Sequence, residues 1–272
     1  MTRTIHRHGL VATVTGAGPP LLLIHGLGSS RAVWHPVAAE LAQDFTTIAV
    51  DLPGHGESDW PSPAPKEFSP AEHAQAVKPL IDEFGGSVHV AGNSMGGWVG
   101  LEIAANGWAA SVTGLCSAGL EIELWTSRSD ELVLRRRLSR LLGPALAPAT
   151  GLVAKTPALR SIIMKDATAD FGSLDLSVLV DAAEAMRDAR GFYPSHDALL
   201  NHLFTRSEEI GPDIPVTVVW GVQDTLLPPG RQRRSAPPEH AGWIVLDHCA
   251  HVPMWDQPER TVEIIKATAG VA

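Results

Sequence analysis

The sequence predicts an α/β chain: a mostly parallel sheet with helices on both faces and an inserted helical segment. Two observations predict it. Short apolar runs that stop at glycine alternate with stretches whose apolar residues recur every three or four positions, the pattern of buried strands joined by crossover helices. That rhythm breaks after about Gly119 and resumes near Pro215, and the stretch between is helical in pattern without a convincing strand. The expected organisation is therefore a core of residues 1–119 and 215–272 interrupted by a helical cap at 120–214.

Taken in order, Met1 to His8 leads into an alternating, strand-like stretch. The strands that follow are expected at Leu21–His25, Thr46–Asp51, Val88–Asn93, Val112–Ser117, Val216–Gly221 and Trp243–Leu246. Val33, Val37 and Leu41 recur at spacing four, and Ala74, Val77, Ile81 and Phe84 follow spacings of three and four, so each set marks a helix packed on the sheet. Pro61, Pro63, Pro65 and Pro70 make the intervening stretch a loop. Gly97–Ala105 is helical in pattern. Within the insertion, Leu132–Leu142 and Leu174–Met186 are expected helices, and Gly143-Pro144, Ala147-Pro148, Thr156-Pro157 and Tyr193-Pro194 mark breaks. Pro258–Ala269 begins with the proline of a helix start and carries Val262 and Ile265 on one face, as a closing helix would.

Composition narrows the function. The chain has 272 residues, 44% of them hydrophobic and 19% charged, enough for one large core with an insertion. Its 21 Lys and Arg are outnumbered by 30 acids, so there is no basic face for nucleic acid. No apolar run approaches the roughly 18–20 residues that span a bilayer, and the first residues lack the apolar region of a signal peptide. A soluble, cytoplasmic protein is expected, with no prediction of oligomeric state. Cys116 and Cys249 are the only cysteines and have no metal-ligand spacing, so no structural zinc or disulfide scaffold is expected.

The chemistry centres on Gly92-Asn93-Ser94-Met95-Gly96. A Gly-x-Ser-x-Gly pentapeptide alone is weak evidence, since average usage puts one by chance in about one chain in ten of this length. Here it follows the apolar run Val88-His89-Val90-Ala91 and opens a helical pattern, the strand–turn–helix setting in which a serine projects above a sheet edge. A serine hydroxyl needs a base to take its proton and a carboxylate to orient that base. His251 lies beyond the last strand and Asp224 directly after Val216–Gly221, both on loops at the sheet's carboxyl edge. The order Ser94, Asp224, His251 suits this setting. His248 is a rival base, and Asp247 and Glu121 are rival acids. Backbone N–H groups of Met95, after the nucleophile, and of Leu27, in His25-Gly26-Leu27-Gly28, are placed to hold the oxyanion.

These residues resemble the α/β-hydrolase superfamily, and the resemblance spans the core. His25–Gly28 is similar to the family's oxyanion loop, Asp51-Leu52-Pro53-Gly54-His55-Gly56-Glu57-Ser58 to its Asp-x-Pro-Gly-x-Gly-x-Ser segment, and Gly92–Gly97 to its elbow. Asp224 and His251 stand where the acid and base stand, with Pro253 and Asp256-x-Pro258-Glu259 in the tail. The resemblance implies a serine hydrolase of small-molecule esters or lactones with a Ser-His-Asp triad, needing no metal or organic cofactor. Serine at 94 separates the chain from haloalkane dehalogenases and epoxide hydrolases, whose nucleophile is aspartate. Gly-Asn-Ser-Met-Gly-Gly is similar to meta-cleavage-product hydrolases, which cut carbon–carbon bonds, although Leu27-Gly28-Ser29-Ser30 lacks their Gly-Pro-Gly-type sequence. A non-catalytic, ligand-binding member of the fold is the further alternative.

For the substrate pocket, Trp34, Trp98, Trp125 and Trp255 are candidate wall residues. Arg135, Arg136, Arg137 and Arg140 form a basic cluster that reads first as a solvated helix face.

Overall fold

The computed structural model describes residues 2–122 and 176–271, together with 133, 137, 141, 166–170 and 174. Eight strands form one sheet: β1 (Arg3–Arg7), β2 (Leu10–Gly16), β3 (Pro20–Ile24), β4 (Thr46–Val50), β5 (Val88–Asn93), β6 (Ala109–Leu115), β7 (Val216–Gly221) and β8 (Gly242–Leu246), in the spatial order β1-β2-β4-β3-β5-β6-β7-β8. The two outer pairings, β1 with β2 and β2 with β4, are antiparallel, and every other pairing is parallel. The mostly parallel sheet expected from the sequence is present.

The alternation of side chains across a strand divides the core into two layers. Leu22, Ile24, Ile48, Val50, Val88 and Val90 point to one face, against α2 (Pro70–Glu83) and α3 (Met95–Ala105). Leu21, Leu23, Ala49, Ala91 and Val219 point to the other, against α1 (His35–Leu41) and the closing helix at Pro258–Thr268. Because both faces are covered, the central strands are apolar at nearly every position, which is why they stood out in the sequence.

Several boundaries shift from expectation by a few residues, and three of the differences have clear local reasons. β6 starts at Ala109, before the apolar run, because Val88 and His89 offer partners to Ala109 and Ser111. It ends at Leu115 because Cys116 has φ 46°, a left-handed conformation that leaves the strand. Pro70 belongs to a helix, not to the proline-rich loop. It is the first residue of α2, where its missing N–H costs nothing, behind a Ser69–Glu72 capping box.

Between β6 and β7 the described part of the insertion contains α4 (Leu176–Asp188) and α5 (Phe192–Asn201). Pro194 sits in the first turn of α5, so Tyr193-Pro194 begins a helix where a break was expected. Val133, Arg137 and Leu141 are helical. The rest of the expected helix at 132–142, the breaks at 143–144, 147–148 and 156–157, Trp125, and Arg135, Arg136 and Arg140 lie outside the described residues. After β8 come α6 (Pro253–Asp256) and α7 (Pro258–Thr268). Among the described residues no helix is long and apolar enough to cross a membrane.

Candidate active site

Parallel strands deliver their following loops to one edge of the sheet, and the candidate residues gather there. Ser94 sits between the last residue of β5 and the first of α3 with φ 56° and ψ −120°, a conformation that strains a residue bearing a Cβ. Its backbone is held on both sides: the N–H donates to Leu115 C=O at 2.9 Å, and its C=O accepts from Gly97 and Ala118 N–H, each at 3.0 Å. The tight turn requires glycine around it. A Cβ on Gly92 would stand 2.1 Å from Gly96 O, and one on Gly96 would stand 2.3 Å from Ile24 O. Gly-x-Ser-x-Gly is thus the pattern that permits this approach of backbone to backbone.

Asp224 follows β7 and is buried. One carboxylate oxygen accepts the N–H groups of Leu226 and Leu227, each at 2.8 Å, and the other accepts His251 Nδ1–H at 2.8 Å. Burial alone would raise its pKa. The neighbouring His251, the Leu227 N–H and the Cys116 thiol outweigh that and hold the carboxyl below its usual range. With Nδ1 donating to Asp224, a neutral His251 ring carries its lone pair on Nε2. The rivals sit differently: Asp247 and His248 are exposed, whereas Glu121 is buried and faces His251 electrostatically.

The loop after β3 is fixed from two directions. His25 is fully buried, and burial lowers its pKa to about 4, so its ring is neutral. Since Leu52 N–H donates to Nε2 at 3.0 Å, the proton is on Nδ1, which donates to Gly26 C=O at 2.7 Å. Ser29 N–H reaches the same oxygen at 3.2 Å. A peptide is planar with its C=O and N–H opposed, so fixing Gly26 C=O also aims Leu27 N–H away from those donors. That peptide lies against the nucleophile, as a Cβ on Gly26 would stand 3.1 Å from Ser94 Cβ. Met95 opens α3, so its N–H is one of the first-turn donors without a helical acceptor.

The second anchor is Asp51. Its carboxylate accepts Arg31 N–H at 2.7 Å and Glu57 N–H at 3.0 Å and pairs with the Arg31 guanidinium, which also pairs with Glu57. Ser58 Oγ donates to Asp51 C=O at 2.6 Å and accepts Val11 N–H at 2.9 Å. The Asp-x-Pro-Gly-x-Gly-x-Ser segment is therefore a clamp: Asp51 and Ser58 bind the loops after β3 and β4 to β2.

Four features were not singled out from the sequence. Asn93 Nδ2 donates to Leu115 C=O at 3.1 Å and to His251 C=O at 2.9 Å, tying the elbow to the histidine loop. Cys116 donates toward Ala250 C=O at 3.6 Å, directly before His251. Cys116, Asp224 and His251 are, among the described residues, a group whose donor atoms lie within 4.8 Å of one another. A second Ser–His contact, His73 Nε2 to Ser195 Oγ at 2.9 Å, joins α2 to α5 in full burial. Its Nδ1 has no hydrogen-bond partner among the described residues, and it lacks the orienting carboxylate.

The tryptophans are placed unequally. Trp34 is fully buried in the core, and Trp98 lies beneath Gly119 with its Nε1–H on Glu102 at 2.9 Å, so neither forms an open wall. Trp255 borders a small cleft with Ser29, Ser30, Val33, Val178 and Ala182. From the insertion, Met186 and Phe192 press on Gly28, where φ is 69° and a Cβ would stand 2.7 Å from Met186 Sδ.

Comparison with known proteins agrees with this architecture. The chain is 26% identical to a pimeloyl-[acyl-carrier protein] methyl ester esterase of Pseudoalteromonas atlantica, across 92% of this chain and 94% of that one. It is 32% identical to an epoxide hydrolase, EphH, of Mycobacterium tuberculosis, across 73% of this chain and 94% of that one. The crystal structure of an enol-lactonase from Burkholderia xenovorans superposes with a TM-score of 0.72 at 21% identity, over 98% of this chain and 100% of that one, a likeness of fold. The model of the alpha/beta hydrolase family matches residues 21–264, and the chain belongs to that family.

Proposed function

We propose that the chain is a serine hydrolase of small-molecule carboxylic esters or lactones, with Ser94, His251 and Asp224 as its triad. The observation that carries this reading is the pairing of a strained serine at the β5–α3 turn with a buried Asp224–His251 hydrogen bond at the same sheet edge. In the proposed reaction His251 Nε2 takes the Ser94 proton as Oγ attacks the substrate carbonyl. Asp224 holds the ring in the tautomer this needs and stabilises the imidazolium that forms. Leu27 and Met95 N–H groups receive the oxyanion. The alcohol leaves with the proton from His251, water attacks the acyl-serine with His251 again as base, and the acid is released.

Residues 120–214 are proposed as a cap over a core of 1–119 and 215–272, with Trp255 on the pocket wall. A methyl ester esterase and an enol-lactonase among similar proteins favour an ester or lactone bond. The epoxide hydrolase relative does not redirect the chemistry, because the residue at the turn here is a serine and an alkyl-ester mechanism would use a carboxylate there.

The test is Ser94→Ala with a p-nitrophenyl ester. Turnover should fall by about 10⁴-fold or more while the circular dichroism spectrum is unchanged. A fluorophosphonate should label the elbow peptide at Ser94 and leave the Ala variant unlabelled. Retained turnover, or labelling elsewhere, would refute the assignment, and turnover of a dienoate in preference to short esters would move it to carbon–carbon cleavage.

A further inference from the structure

Beside the Asp224–His251 pair lies a group that ester hydrolysis does not use, the Cys116 thiol. Cys116 Sγ, an Asp224 carboxylate oxygen and a His251 ring nitrogen lie within 4.8 Å of one another, and all three residues are buried. Each comes from the loop after a different strand: Cys116 after β6, Asp224 after β7 and His251 after β8, three neighbours in the sheet. The spacing therefore rests on the framework. Cys116 is further fixed by its N–H on Val219 C=O at 2.7 Å.

A thiol, an imidazole and a carboxylate together are the donor set of tetrahedral zinc and of softer cations such as cadmium. Bond lengths of about 2.0–2.3 Å place tetrahedral donors roughly 3.3–3.8 Å apart, within reach of small side-chain rotations from the present arrangement. We propose that Cys116, Asp224 and His251 form an inhibitory site for a thiophilic divalent cation.

The chemistry of inhibition follows from the ring. Binding releases the thiol proton to solvent. A cation on His251 Nδ1 displaces the proton there, and the neutral ring carries it on Nε2 instead. Nε2 then has no lone pair with which to take the Ser94 proton. The inhibition rests on the role proposed above for His251, whereas the binding does not.

The two can be read separately. Cadmium titrated into the full chain should give an ultraviolet thiolate-to-cadmium charge-transfer band that saturates at one equivalent. With only Cys116 and Cys249 in the sequence, the band has two possible sources. It should persist in Cys249→Ser and vanish in Cys116→Ser, with circular dichroism checking that each variant is folded. His251→Ala should keep the band but weaken cadmium binding at least about tenfold. Zinc should inhibit ester turnover by the unaltered protein, reversibly with EDTA, and leave Cys116→Ser resistant. Absence of the band, its persistence in Cys116→Ser, an unchanged affinity in His251→Ala, or a saturated site without inhibition would each overturn the proposal.

Discussion

Replacing Glu121 with Gln removes a buried carboxyl whose pKa burial raises from 4.5 to about 7, against the opposing pull of the Glu121 and Gly119 N–H groups and of His251. One of its oxygens has no hydrogen-bond partner among the described residues. A carboxyl with a raised folded-state pKa keeps its proton where the unfolded chain has lost it, so the folded state binds more protons and stability falls as pH rises. The penalty begins near pH 4.5 and is complete above pH 7. A shift of that size corresponds to roughly 3 kcal/mol. At about 2 °C of melting temperature per kcal/mol for a chain of this length, it amounts to about 6 °C. The assay is a thermal melt of the unaltered protein and Glu121→Gln at about pH 5 and about pH 8. The change between the two pH values isolates the charge from any fixed effect of the amide. Part of the penalty is already present at about pH 5, so the variant should gain about 5 °C relative to the unaltered protein on going from the lower to the higher pH. The same offset at both, or a gain at the lower pH, would refute the reasoning that Glu121 is buried at a cost.

Two further predictions concern the groups around Ser94. Asp224→Asn should lower kcat by about 10³–10⁴-fold with KM changed only a few-fold: the Leu226 and Leu227 N–H groups keep the amide oxygen, so the NH2 group faces Nδ1 and favours the tautomer with the proton on Nε2; steady-state kinetics on a soluble ester would show it. His25 has the opposite linkage to Glu121. Burial holds its folded pKa at about 4, below the usual 6.5, so stability should fall as pH drops from 6.5 towards 4, by up to about 3 kcal/mol. In His25→Gln that acid sensitivity should shrink in urea titrations, and the loosened Gly26–Leu27 peptide should lower kcat by about 10–100-fold with little change in KM.

The sequence made the central strands legible because a strand covered on both faces is apolar at nearly every position, as Leu21–Ile24 is throughout and Val216–Gly221 is but for Thr217. β1 was faint for the converse reason: Arg3-Thr4-Ile5-His6-Arg7 is exposed but for Ile5, and its pairing with β2 supplies the order that its composition does not. Ser94, Asp224 and His251 could be picked out because each sits at a fixed offset after a recognisable strand. Asn93 and Cys116 also sit at strand ends, and Glu121 was a rival acid, but nothing in the residue types showed that they meet the histidine loop. Their nearness to the histidine loop is set by the register of β5, β6 and β7, which brings together residues more than a hundred positions apart. Trp34 and Trp98 show the limit of reading a pocket from aromatic content. A large apolar side chain suits a core as well as a cleft, and the helix face that decides between them belongs to the tertiary structure.

The path by which the chain leaves the sheet after β6 has a consequence for how such a molecule can change. Phe204 N–H bonds Gly119 C=O at 2.8 Å, so departing and returning chain meet at the rim of the sheet. Beside them, Arg233 N–H reaches Leu120 C=O at 2.7 Å and Ile122 N–H reaches Arg231 C=O at 2.9 Å. All three bonds are between main-chain atoms and do not depend on side-chain identity. The closure entropy of a long loop grows only with the logarithm of its length. The stretch between these fastenings can accordingly change in length at small entropic cost, whereas Met186, Phe192 and Ser195 within it pack on the core and are not free to vary, so that substrate preference can be explored by insertion and deletion while the reacting groups stay in register.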